Sequence, residues 1–287
     1  MDKASSRPRR SRTILLDRRF WTSPVKTKHA ELICLAHCFC TGLIDASVFG
    51  NYAVFVAMQT GNTVILALST ADLPFGQRYS WLTTLVSLCS FLLGALATSH
   101  LSYAFVPLRR LTISTNLLLQ GLLIAISAIL VTVTSISIPE DNNGTNASRT
   151  LTRPEIVAVI PCLAFQSGAQ IATSKLLGVD EIPVNVVTSL YAGLMGDKDL
   201  FVWSKNGKST WGWQTGDTKR SRRIAAVVCV LAGAFCAAWI LKLGPGLMLG
   251  LWLGAGIKII VAVVAALSMG KGYSDDAEEK IGGELHG

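Results

Sequence analysis

Charge is scarce in this chain. Of its 287 residues only 15% are Asp, Glu, Lys or Arg, while 51% are hydrophobic. That is too little charge to cover a water-soluble domain of this length, and a mean hydropathy of +0.46 points to a membrane protein. Histidine is scarcer still: the four, at 29, 37, 100 and 286, do not cluster. With no phosphate-binding glycine loop, haem motif or helical pair of zinc ligands, neither an enzyme nor a metal or cofactor is expected. No apolar stretch opens the chain, so no cleavable signal peptide is predicted, and the run from Leu32 is its own insertion signal. The seven cysteines all lie in apolar segments. In "CLAHCFC" a helix puts Cys34 and Cys38 on one face and turns Cys40 away, which reads as small thiols packing between helices.

The net charge of +8 is concentrated beside apolar runs, in "RPRRSRTILLDRR" near the start and "KRSRR" at 219–223. Lys and Arg so placed mark cytoplasmic loops rather than a nucleic-acid surface, and no nucleic-acid partner is expected. Arg109 and Arg110 mark another such loop. The polar loop "SIPEDNNGTNASRTLTRPE" holds two glycosylation acceptors, Asn143 and Asn146, usable only on the lumenal or extracellular side.

Apolar runs cover about 32–50, 52–69, 81–106, 111–138, 156–177, 182–197, 224–243 and 246–269, and a spanning helix needs roughly 20 residues. The orientation signals are met together if 32–69 and 156–197 each cross once in net. Each then holds a full helix plus a broken or re-entrant segment, with "QTGNT" and its Gly61 as the first break. A plain eight-helix reading would put the sequons or Arg109 and Arg110 on a disfavoured side. The expected fold is an all-α integral membrane protein, a helical bundle of about six net crossings with two broken or re-entrant segments in an inverted repeat. Its parts are a basic cytosolic tail (1–29), a first membrane repeat (30–138), a lumenal or extracellular loop (139–154), a second repeat (155–270, with the basic cytosolic loop 198–223) and an acidic cytosolic tail (271–287). "GLIDAS" at 42–47 and "GAQIAT" at 168–173 align weakly; the parallel order of segment types is the stronger sign. Such repeats with broken helices recur in secondary transporters.

"TGLIDASVFGNYAVFVAMQTGNTVILAL" resembles the first signature of the YoaK-like family, a domain-of-unknown-function group of bacterial and fungal membrane proteins, and the chain resembles a fungal-type member. Gly42, Asp45, Ala46, Phe49, Thr60, Gly61, Asn62 and Thr63 match that signature. "FQSGAQIATSKLLGVDEIPVNVVTSL" resembles the second through Gly168, Gln170, Ala172, Thr173, Ser174 and Thr188. It departs at Ile171, where Asn is usual, at Lys175, where Arg is usual, and at Ser189, where Gly is usual. The resemblance spans about residues 30 to 269 and implies a multi-pass membrane protein with no assigned activity.

The polar groups inside these runs are the candidate site. Asp45 lies 14 residues past Glu31, roughly 21 Å along a helix. It is either a proton-coupling group facing the bundle interior or a cap on the broken run that follows. Lys258 sits near the centre of the last run, too deep to snorkel, and pairing with Asp45 would offset both desolvation penalties. His37 either relays a proton to Asp45 or packs in a hydrogen bond. Lys175 either snorkels or contacts an anion. Gln59, Thr60, Asn62, Thr63, Gln166, Gln170, Asn185 and Thr188 are neutral hydrogen bonders, suited to helix–helix contacts or to a polar solute. Gly246, Gly250 and Gly254 form a flat helix face, for packing or a homodimer contact. Besides the lipid bilayer, the expected partner is a small polar solute or ion. The expected function is a secondary transporter or channel, with a membrane enzyme or a structural protein as alternatives. The plasma membrane, or another secretory-route membrane, is the expected location, with both termini cytosolic.

Overall fold

The computed structural model describes residues 21, 30–71, 73, 80–105, 108–134, 154–179, 182–185, 187–197, 218–244 and 246–268. The two sequons, the arginine-rich start, most of the basic loop and the acidic tail lie outside the described residues. Among the described residues eight helices follow in order: α1 (Ala30–Tyr52), α2 (Gln59–Thr70), α3 (Ser80–Ala104), α4 (Arg110–Thr134), α5 (Pro154–Leu176), α6 (Val187–Met195), α7 (Thr218–Lys242) and α8 (Gly246–Ser268). The chain is an all-α membrane protein.

Length sorts the helices into two kinds. Six have 23 to 25 residues, roughly 35 Å of rise against a hydrocarbon core about 30 Å thick. Five of these, α1, α3, α4, α7 and α8, are long and apolar enough to cross a membrane. In α5 the apolar sequence is diluted by Gln166, Ser167, Gln170, Thr173 and Ser174. With 12 and 9 residues, α2 and α6 are too short to span, which removes the plain eight-helix reading. Rows of exposed apolar side chains, such as Leu92, Leu93 and Leu96 on α3 or Val228, Phe235 and Trp239 on α7, form the surface that meets lipid.

Two apolar cores stack along the bundle. One gathers Cys40, Ile44, Val48 and Tyr52 of α1, Ile124, Ala128 and Val131 of α4, Val159 to Ala164 of α5, and Leu247, Leu251 and Ala255 of α8. The other gathers Ala30, Ile33, Cys34 and Cys38 of α1, Ile113 and Leu117 of α4, Leu177, Val179, Ile182 and Val184 after α5, Leu190 of α6, Ala226 and Val230 of α7, and Ala262 and Ala265 of α8. The order in which each helix passes these cores gives its direction. From the second core to the first run α1 and α4, and α7 begins in the second and runs parallel to α1, with Gly42 against Val230 and Gly50 against Leu241, whereas α5 and α8 run from the first to the second, and α3 begins beside the first, where Val86 packs. Successive long helices therefore alternate.

The same order shows the repeat. Exchanging α1 for α5, α2 for α6, α3 for α7 and α4 for α8 maps one set of packed pairs onto itself: α1 on α7 and α5 on α3, α1 on α8 and α5 on α4, α2 on α3 and α6 on α7. Partners under this exchange run in opposite directions, so the repeat is inverted. Two crossings are backbone on backbone, because glycine leaves no side chain between the helices. A methyl added at Gly42 would fall on the Val230 carbonyl and one at Gly233 on that of Phe39; at Gly94 and Gly168 the obstacles are the Phe165 and Phe91 carbonyls. Gly42→Ala and Gly168→Ala should each cost about 1–3 kcal/mol by overpacking. Thermal unfolding in detergent would register this as a lowered Tm, and an unchanged Tm would mean that the helices can part freely.

Two expectations are corrected here. Gly250 and Gly254 do not present a homodimer face: a methyl at Gly250 would meet Ser47 and one at Gly254 would meet Ile44, so this face is used against α1 within the chain. Gly246 instead occupies a positive φ of 62° at the start of α8. The first break also lies elsewhere than in "QTGNT". Residues 53–58, "AVFVAM", are non-helical, and Gly61 sits inside α2. Apolar content made that run look helical, but its backbone hydrogen bonds are claimed by side chains from other elements.

Candidate functional site

Non-helical backbone at membrane depth must find its partners within the protein. After Tyr52 the chain doubles back into the bundle, and Asp45, one face of α1 away from lipid, receives it. Asp45 Oδ1 accepts from the Val56 and Ala57 N–H groups at 2.8 Å each, and Oδ2 from Met58 at 3.0 Å. The carboxylate thus sits on the unsatisfied N–H groups ahead of α2, where the helix dipole also favours negative charge. Asn62 completes the return like a neighbouring strand. Its Oδ1 accepts from Phe55 N at 3.0 Å and its Nδ2 donates to Phe55 O at 2.7 Å. Ser87 of α3 donates to the same carbonyl at 2.7 Å, and Gln59 donates to Val56 O at 3.0 Å and to Ser87 at 3.2 Å. Side chains of α1, α2 and α3 thus hold Phe55 to Met58 of the first broken segment.

The second broken segment is built from amides. Following α5, Gly178 takes a positive φ of 69°, a conformation glycine enters without a Cβ clash. The chain then returns along α5 until Asn185 donates to Ser167 O at 3.2 Å. Gln170 is the centre: its Nε2 donates to Asn185 Oδ1 and to Thr41 of α1, both at 2.8 Å. Its Oε1 accepts from Lys258 Nζ at 2.5 Å, and Gln120 Oε1 of α4 accepts from the same ammonium at 2.7 Å. Gln120 Nε2 in turn donates to Thr173 at 3.1 Å. One network therefore joins α1, α4, α5, α8 and the second break, and it includes the residues at which α1 and α5 touch.

Its depth is set by the cores. On α4, Gln120 falls between Leu117 of one core and Ile124 of the other. Lys258 on α8 falls between Ala255 and Ala262, and Gln170 and Thr173 on α5 between Ala164 and Leu177. Near the middle of α1 lie Thr41 and His37. Polar groups so form a layer near the centre of the bundle, closed by apolar packing on both sides. His37 is buried in that layer, and neither ring nitrogen has a hydrogen-bond partner among the described residues.

The candidate residues from the sequence divide accordingly. Gln170, Lys258 and His37 come together in the layer. Asp45, Gln59 and Asn62 are brought together at the first break, with Gly61 packed against the Phe55 ring. Thr60, Thr63, Thr188 and Lys175 are exposed and turned away from the network. Thr63 bonds back to the Gln59 carbonyl at 3.0 Å. The expected Asp45–Lys258 pair is not formed: Asp45 is occupied by backbone N–H groups and Lys258 by two amide oxygens. Each group found a partner that needs no second buried charge. Gln120, Thr41 and Thr173 were missed as site residues. A Gln in the middle of the apolar run "NLLLQGLLIAI" carries the same signal as Lys258 in its own run, a polar group too deep to reach water.

A family model described as "Protein of unknown function (DUF1275)" matches residues 33–264. No curated protein and no solved structure matches the chain.

Proposed function

Because this chain belongs to the DUF1275 family, whose description assigns no activity, we propose its function from the site itself: a secondary transporter for a small polar solute or ion. The supporting observation is the closed polar layer around Lys258 and Gln170, held between two apolar cores at the meeting of two inverted repeats. A carrier needs a binding layer that can be opened to one side at a time. Here the two breaks enter from opposite ends of the bundle, so each repeat supplies its own movable segment. Opening the second core exposes the layer past α6, and opening the first exposes it past α2.

We read the second-core end as cytosolic, with six net crossings and both termini inside. Basic residues crowd that end: Arg220 pairs with Asp197 at 2.6 Å, Arg222 with Glu31 at 2.6 Å, and Arg223 donates to Gly193 O at 2.9 Å. The loop with Asn143 and Asn146 then faces the lumen or exterior of a secretory-route membrane, the plasma membrane first among them. On this topology the expressed protein runs as a glycosylated form, and a double Asn143→Gln, Asn146→Gln variant migrates faster on gels. Equal mobility before and after glycosidase treatment would count against that orientation.

Flux tests the transport reading. Purified protein in proteoliposomes, presented with labelled neutral solutes, cations and anions, should move at least one class above empty vesicles. Flux of none would favour the structural or assembly role, and chemical conversion of a solute would favour the enzyme.

A further inference from the structure

Lys258 is 0% exposed at the centre of the bundle, and its two partners are neutral amide oxygens. The carboxylates whose side chains are described are engaged elsewhere: Asp45 on three backbone N–H groups, Glu31 on Arg222 and Asp197 on Arg220. An ammonium has three N–H donors, and these contacts use two. The neighbouring face of α1 brings Cys34, His37 and Cys38 close to that charge. His37 is 0% exposed with both ring nitrogens unpartnered among the described residues, and a neutral imidazole has one N–H to donate. When protonated, Lys258 thus keeps one N–H to donate, and His37, whose backbone carbonyl accepts from the same Gln170 side chain at 3.4 Å, keeps its ring N–H. A buried charge left uncompensated is costly.

We infer that the layer between Lys258 and His37 binds one small monovalent anion, and that anions are the substrate class of the proposed carrier. Its valence follows from the single cation. Its size follows from the closed packing: with Lys258, His37 and Gln120 all 0% exposed, only an ion of a few heavy atoms, such as chloride, nitrate or formate, enters without parting the two cores. A cation would meet Lys258 as a like charge, and a neutral solute would leave its charge unmatched. The Lys258 third N–H and the His37 ring N–H would donate to the anion, while Gln120 and Gln170 hold the ammonium in place. The transport half of this inference rests on the carrier reading; the binding half does not.

The experiment is thermal unfolding of the purified protein in detergent, with sodium gluconate exchanged for sodium chloride, nitrate or formate at constant ionic strength. At roughly a hundredfold excess over Kd, at least one small anion should raise Tm on the order of 5 °C above gluconate. Lys258→Met should abolish the rise, and His37→Phe should weaken anion affinity at least tenfold. The Tm of each variant in gluconate shows that it is folded, and Lys258→Arg, which keeps the charge, should retain part of the rise. No shift in the wild-type protein with any of the three anions overturns the inference, as does an undiminished shift in Lys258→Met. Proteoliposome flux separates the two readings. Anion-dependent stabilisation without flux keeps the site and removes the carrier, whereas flux of neutral or cationic solutes without stabilisation keeps the carrier and removes the anion.

Discussion

Asp45→Ala should abolish the folded protein rather than merely slow it. The substitution leaves the N–H groups of Val56, Ala57 and Met58 without an acceptor, in a part of the bundle where water cannot replace it. Each buried, unsatisfied donor costs about 1–3 kcal/mol, so the sum is several kcal/mol against a total stability of about 5–15. Asp45→Asn retains one acceptor oxygen and should fall between the two. Size-exclusion chromatography of detergent extracts measures this: Asp45→Ala should lose the monodisperse peak, and Asp45→Asn should keep it with a lowered Tm. A well-folded Asp45→Ala that had lost only transport would instead identify the carboxylate as a coupling group.

Lys258→Met should give the opposite pattern. Lys258 is held by Gln120 and Gln170 alone among the described side chains, and burying an ammonium is itself expensive. An apolar chain of similar length removes that desolvation cost but leaves the Gln120 and Gln170 amide oxygens without this donor, so two effects of similar size oppose. The variant's Tm should therefore stay within a few degrees of the wild type. Solute flux should fall at least a hundredfold, corresponding to about 2.7 kcal/mol of lost interaction at 1.36 kcal/mol per tenfold. Equal losses of Tm and flux would make Lys258 a structural residue. The contrast between these two positions separates the strut of the bundle from its working charge.

Both positions were visible in the sequence as charges too deep for water, and their partners were not. Asp45 is satisfied by backbone 11 to 13 residues further on, but only because the chain turns back at Tyr52. Hydropathy sees "AVFVAM" as a stretch of helix and cannot see that turn. The repeat was legible from the order of segments, while the chemistry of its two halves differs. At the offset that aligns Gly42 with Gly168, Asp45 falls on Ile171, which packs against the apolar core. Among the described residues the second break has no counterpart of the Asp45 strut, and Gln170 with Asn185 performs the joining instead. Thr60, Thr63 and Thr188 were named because they are polar in apolar runs. Helix rotation decided otherwise: α2 turns Asn62 inward and leaves Thr60 and Thr63 outside. A short helix with a weak apolar face gives no sequence signal for that choice.

Access to the layer is the claim on which the carrier rests, and a single cysteine reads it directly. In a background with the native cysteines replaced, Thr41→Cys places a thiol beside Gln170, between the two cores. Sealed vesicles of known orientation are then treated with a membrane-impermeant thiol reagent from one side or the other. Alternating access predicts labelling of Thr41→Cys from both faces, slowed by bound solute. Labelling from one face only, or from neither, would contradict the account.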